Sequence, residues 1–183
     1  MKIVVGITGA SGSIYAIRLM EVLKLAGHEI HVVMTDSAEK VVQYECEKTI
    51  NDIKQMAAVF YDVHDVGAAI ASGSFKMDAM IVIPCSMKTA ASIANGITDN
   101  LLTRAADVML KEFRTLIVVP RETPMHAGHL ENLLKLSRLG ARIIPACPGF
   151  YHKPESLNDL VDMMVGKVCD SLGVEHELFK RWQ

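Results

Sequence analysis

Arg121 and Glu122 stand side by side at the end of an apolar run in "VVPRETP" (118–124). An arginine can fork onto a phosphate or a carbonyl, and a glutamate beside it can move a proton. As a plain surface ion pair the two would contribute little. A second cluster, Ser86, Lys88 and Thr89 in "PCSMKT" (84–89), offers hydroxyls and a cation at a helix start. That set suits an anionic group or a flavin edge, and Ser86 alone would also serve as a helix cap. A third is "GITGASG" (6–12), where Gly6, Gly9 and Gly12 follow a G-x-x-G-x-x-G spacing rather than G-x-G-x-x-G. Glycines let backbone N–H groups close on an anion where a helix begins, and Ser11 adds a hydroxyl. The loop can hold a nucleotide phosphate or a flavin, or it is a tight turn with packing glycines.

Two further strand ends are polar. In "MTDS" (34–37), Thr35 can donate to a phosphate or ring edge. Asp36 stands where a dinucleotide fold places its ribose-binding acid, but Asp36 or Ser37 serves as well to cap the next helix, and we take Asp36 as that cap. "PGFYHKP" (148–154) offers the ring and hydroxyl of Tyr151 and the charge of Lys153, and on residue types alone it is a loop.

Several chemistries are set aside. His126 and His129 are three apart without an acid in register, and His28 and His31 fall on opposite faces of a strand, so no metal is expected. Tyr44 and Lys48 match a Y-x-x-x-K pattern, yet they follow the second strand, where we read a helix surface. Cys46, Cys85, Cys147 and Cys169 form no C-x-x-C pair and read as free thiols of a cytoplasmic protein. A net charge of −2 without a basic block gives no reason to expect nucleic acid as a partner. No apolar run reaches membrane-spanning length, and glycines interrupt the first one too early for a signal peptide.

The elements that must position these groups alternate. Lys2–Thr8 reads as a strand, and a helix pattern from Ser13 to Leu25 follows, stopped by Gly27. Further strands are predicted over 29–35, 78–86 (ended by Pro84), 114–122 and 141–148, with helices over 101–113, 129–140 and 155–173. The segment 45–75 shows no clear pattern. Alternating strands and helices predict an α/β fold, doubly wound around a mainly parallel sheet, Rossmann-like or flavodoxin-like, in one domain of 183 residues. The C-terminal helix and tail, about 155–183, are expected to pack near the site or a neighbouring subunit. In such sheets ligands bind beyond the carboxyl ends of the strands, where every polar cluster above lies.

The glycine loop alone would suit an NAD(P)-dependent epimerase-like reductase, but the chain is short for one and the Y-x-x-x-K is misplaced. Taken together, "GITGASGSIYAIRL", "SGSFKMDAMIVIPCSMKT", "LLTRAADVMLKE", "VVPRETP", "GFYHKPESLNDLV" and "KRWQ" resemble, in order and over nearly the whole length, the UbiX-like flavin prenyltransferases. That family includes the small proteins encoded beside the decarboxylase in phenolic-acid decarboxylase operons. The resemblance implies a flavoprotein that joins a dimethylallyl group from dimethylallyl phosphate to N5 and C6 of reduced FMN, without a metal, for a UbiD-like decarboxylase. It also implies a trimer-based dodecamer with sites at subunit borders. An FMN-binding decarboxylase and a non-catalytic flavin-carrying subunit are the alternatives.

Carried over by motif, Gly9, Ala10, Ser11, Thr35, Ser86, Met87, Lys88, Thr89 and Arg121 fall on FMN-binding positions. Ser11, Glu45, Lys111 and Glu122 fall on catalytic positions, and Tyr151, Lys167, Arg104 and Trp182 on positions for the prenyl phosphate or its surroundings. Thr35 stands where relatives often have serine. Lys167 stands where they often have arginine, so the charge is kept and the bidentate fork lost. Met163 and Met164 are expected to line the pocket beside Lys167. The resemblance casts Glu122 as the proton-transfer group; adjacent strand residues face opposite ways, which argues against an Arg121–Glu122 pair. The glycine loop is accordingly expected to cradle a mononucleotide.

Overall fold

Six parallel strands in the order β3-β2-β1-β4-β5-β6 form the centre of the computed structural model, which describes residues 1–182. The strands are β1 Lys2–Ile7, β2 Glu29–Met34, β3 Val59–Tyr61, β4 Ala79–Cys85, β5 Thr115–Pro120 and β6 Arg142–Ile143. The helices are α1 Ser13–Leu25, α2 Asp36–Glu45, α3 Ile50–Met56, α4 Met87–Ala94, α5 Leu101–Lys111, α6 Ala127–Arg138 and α7 Leu157–Leu172, with a 3₁₀ turn at Ala69–Ala71. The doubly wound α/β class is as expected.

Alternation along the strands explains the two layers of helices. Ile3, Val5 and Ile7 of β1, with Ile81 and Ile83 of β4, face one buried cluster that includes α1 and α7. Val4, Met80 and Val82 face the other, which is closed by α4 and α5. Both faces are dry, so the central strands read as continuous apolar runs.

Several boundaries differ from the sequence reading. Segment 45–75 holds α3 and the edge strand β3, which pairs only three residues with β2. Pro84 lies inside β4 rather than ending it, at a register shift between Val82 and Cys85. The strand expected over 141–148 shrinks to Arg142–Ile143, although Ile144 N and Ala146 N still donate to Val118 O and Pro120 O of β5. Thr35, not Asp36, caps α2. Its extended backbone and its hydroxyl, which accepts from Ala38 N at 3.2 Å, make it the cap, and Asp36 is the first helical residue.

Helix α7 begins with a reciprocal cap: Ser156 Oγ accepts from Asp159 N at 3.2 Å, and Asp159 Oδ2 accepts from Ser156 N at 2.9 Å. The backbone N–H groups of Glu155 and Ser156, then the Ser156 hydroxyl, hold the Asp159 carboxyl below its ordinary 3.8. A lowered folded value stabilises above the unfolded one and is lost as pH falls through the folded one. The melting temperature of the wild type should therefore exceed that of Asp159→Asn at pH 6, with the gap closing below about pH 4.

Candidate active site

Strand order reverses between β1 and β4, and the loops beyond their carboxyl ends frame a crevice. Buried Thr8 ties the two ends together. Its hydroxyl donates to Pro84 O at 2.7 Å and accepts from Ser86 N at 2.8 Å. Arg121, at the end of β5, donates from Nε to Ser11 O at 3.1 Å and so braces the glycine loop.

Three helices start around one polar cavity of about 260 Å³. Thr35 caps α2, Ser86 caps α4 by accepting from Thr89 N at 3.3 Å, and Asn100 caps α5 by accepting from Thr103 N at 3.0 Å. Gly9, Thr35, Ser86, Lys88 and Thr89 line this cavity, as do Asp36 and Asp99. Each helix start carries a partial positive charge, and three with one lysine make a strong anion site despite the two carboxylates. At this volume the cavity takes one end of a ligand, since whole small-molecule sites run about 300–1,000 Å³.

The start of α1 is arranged differently. Gly12, at φ 111°, turns the chain into the helix, and Glu45 at the end of α2 reaches across to it. Glu45 Oε2 accepts from Gly12 N at 2.8 Å and from Ser13 N at 3.3 Å. The amides that the glycine spacing offers to an anion thus hold a side-chain carboxylate. Glu45 also lines a separate cavity of about 680 Å³ between α1, the end of α2 and α7, floored by Ile14, Ile17 and Val161.

Glu122 is half-buried beside this crevice, and its Oε1 accepts from Thr123 N at 3.0 Å. The described ion pairs do not join it to Arg121, whose Nε is spent on Ser11 O. Ala10 is buried in the glycine loop and Met87 is buried at the first turn of α4. Tyr151 lies on the loop after β6 and meets Trp182 edge-on, with ring centroids 5.6 Å apart. Lys167 sits past the middle of α7, its ammonium 5.2 Å from the centre of the Phe179 ring. Met163 and Met164 are 6% and 2% exposed, neither lines the two cavities above, and Met163 Sδ accepts from Gly149 N.

Two candidates on α5 make contacts within the chain. Arg104 donates to Ala71 O at 3.1 Å and pairs with Asp107. Lys111 ends α5 and pairs with Glu112 at 3.4 Å. Because α5 leads into β5, Lys111 lies at the amino edge of the sheet, opposite the crevice.

The chain matches the Flavoprotein family over residues 1–169. It is 50% identical over 182 residues to the flavin prenyltransferase UbiX of Methanocaldococcus jannaschii, covering 100% of this chain and 98% of that one. The chain belongs to the flavin prenyltransferase family. Its fold superposes with a TM-score of 0.98 on AnUbiX (PadA1), solved in complex with FMN and dimethylallyl pyrophosphate, at 42% identity over 100% of this chain and 97% of that one. The same score relates it to a dodecameric, FMN-dependent UbiX-like decarboxylase from Escherichia coli O157:H7, at 44% identity and full coverage of both chains.

For a flavin prenyltransferase, the sequence reading missed part of the cavity wall. Ser37, His64, Asn100 and Thr103 all line it. The N-x-x-T spacing of Asn100 and Thr103 is a legible cap, but nothing local says that this helix starts beside two others. Among the described residues no group of three or more His, Cys, Asp or Glu is placed to hold a metal, and no helix is long and apolar enough to cross a membrane.

Proposed function

We propose that the protein transfers a dimethylallyl group from dimethylallyl phosphate to N5 and C6 of reduced FMN, supplying the prenylated flavin to a UbiD-like decarboxylase. One observation carries the FMN part of this reading: three helix starts and Lys88 converge on a cavity sized for a phosphate-bearing tail. Gly9, Ala10, Ser11, Thr35, Ser86, Met87, Lys88 and Thr89 form or adjoin its walls, and Arg121 braces the loop beside it. FMN is a substrate here, as the acceptor.

The donor's C–O bond breaks with its electron pair on the phosphate, leaving positive charge on the allyl carbons. Lys167 and Tyr151 take the phosphate, and apolar side chains shelter the allyl group from water. Glu122 gives a proton to the leaving phosphate and later accepts the one released at flavin C6, while the proton that N5 loses on alkylation passes to the remaining double bond, whose cation C6 then attacks. Ser11 and Glu45 act at the glycine loop beside these groups.

Arg104 and Lys111 lie seven residues apart, on one face of α5. Lys111, at the far end of α5, reaches a crevice only if it belongs to a neighbouring copy, so the proposed assembly is a trimer-based dodecamer with shared sites. Phe113, Leu25 and Tyr44 are 97%, 92% and 90% exposed in the single chain, which leaves apolar surface for such contacts. Four free cysteines fit a reducing, cytoplasmic setting.

Anaerobic incubation with reduced FMN and dimethylallyl phosphate, followed by mass measurement of the flavin, tests the reading. The expected result is a gain of one prenyl group with release of phosphate, and binding of FMN but not NAD(P)H. Unchanged flavin with tight NADH binding would overturn it.

A further inference from the structure

The chain does not stop at α7. Gly173 turns it out of the helix, and residues 174–182 run back along α7 towards the crevice. Four contacts fix this return. Val174 N donates to Cys169 O at 2.9 Å. Asp170 then takes Arg181 on both oxygens, at 2.8 and 3.2 Å, and His176 Nε2 at 3.1 Å. His176 Nδ1 accepts from Leu178 N at 3.2 Å, so Nε2 carries the proton given to Asp170. Arg181 and His176 together hold the Asp170 carboxyl below its ordinary value. Further along, Phe179 lies on Gly166, where a Cβ would come within 2.4 Å of its ring. Trp182 ends against Tyr151.

Phe179 is placed between two cations. Arg181 Cζ is 5.7 Å from its ring centre and Lys167 Nζ is 5.2 Å from it. The two are not equivalent. Arg181 is neutralised by Asp170, whereas none of the described ion pairs includes Lys167. An aromatic face attracts an ammonium without neutralising it. A carboxylate at the same place would hold Lys167 as firmly and cancel the charge that a phosphate needs.

We propose that Phe179 is a positioning residue for the prenyl donor: seated on Gly166 by the Asp170–Arg181–His176 clamp, it fixes the Lys167 ammonium in place while leaving its charge free for the donor phosphate. The proposal rests on the reading of Lys167 as a donor-phosphate ligand. In this role Phe179 acts only through Lys167.

The test uses the full-length protein with reduced FMN and dimethylallyl phosphate. Phe179→Leu keeps an apolar group over Gly166 and removes the ring. It should raise the donor KM about three- to tenfold, with kcat and FMN affinity within about twofold of wild type. Phe179→Tyr, which keeps the ring, should restore the wild-type KM. In a Lys167→Ala background, Phe179→Leu should add nothing. Trp182 is the chain's only tryptophan, so its emission reports whether the tail remains docked on Tyr151. If Phe179→Leu leaves the donor KM unchanged, or raises it equally without Lys167, the proposal fails. The Lys167 background decides this whether or not the Trp182 emission moves. Failure of the underlying reading shows separately, as a wild-type donor KM in Lys167→Ala alone.

Discussion

Replacing Glu122 by glutamine should slow prenylation about 10²- to 10⁴-fold while FMN binds as in the wild type. The expectation follows from where the carboxylate stands and what it lacks. Glu122 follows β5 directly at the crevice, half-buried, and its hydrogen-bond partner is the neighbouring Thr123 N–H at 3.0 Å. Arg121, its neighbour in the chain, turns to Ser11 O, in line with adjacent strand residues facing opposite ways. A structural ion pair would have made the glutamate's charge a matter of stability. A carboxylate outside such a pair can gain and lose a proton during turnover. Glutamine retains an oxygen to accept from Thr123 N–H and nearly the same shape, so the local fold survives and only the titration is removed. The rate and the flavin mass, followed anaerobically against wild type, read the effect. Formation of the four-ring flavin within a few-fold of the wild-type rate would show that Glu122 is not the proton-transfer group. Glu45 would be next, although one of its oxygens is already engaged by Gly12 and Ser13 N–H.

What the sequence made legible follows the length of each signal. Strands β1, β2, β4 and β5 are six or seven mostly apolar residues each, buried beyond their first position, and helices α1, α5 and α7 carry clear stripes. The edge strands are different. β3 pairs three residues and β6 spans two, too short for any period to show. Each polar strand end was legible singly, since turn and cap residues announce themselves locally. Their relations were not. Glu45 reaches the start of α1 across 33 residues, a contact set by the length and tilt of α2. The direction of α5 was legible in principle: a helix leading into a parallel strand ends at the sheet's amino edge, and Lys111 with it. A sequence motif records which residues a site contains and not which copy of the chain supplies them.

That distinction makes the second large effect measurable. Lys111→Ala and Glu122→Gln should each leave little activity alone if Lys111 adds its charge to a neighbour's site, because one then removes a cation from that site and the other the proton carrier. If Lys111 serves the crevice of the next subunit, the two defects lie on different chains of one site. Co-expression of the two variants in equal amounts then builds mixed oligomers. A crevice with an intact Glu122, on a chain bearing Lys111→Ala, meets an intact Lys111 whenever its neighbour is the Glu122→Gln chain. Random assembly around a head-to-tail ring gives this for about a quarter of sites, so activity should return to about a quarter of wild type. Were Lys111 and Glu122 joined within one chain, every site in the mixture would carry one defect or the other, and mixing would restore nothing. The position of Lys111 at the far edge of the sheet, paired there with Glu112, favours the first outcome. Light scattering checks the premise: a monomer at micromolar concentration would leave no neighbour to supply the lysine. Recovery no greater than the sum of the two single variants would show that Lys111 does not serve the crevice of a neighbouring subunit.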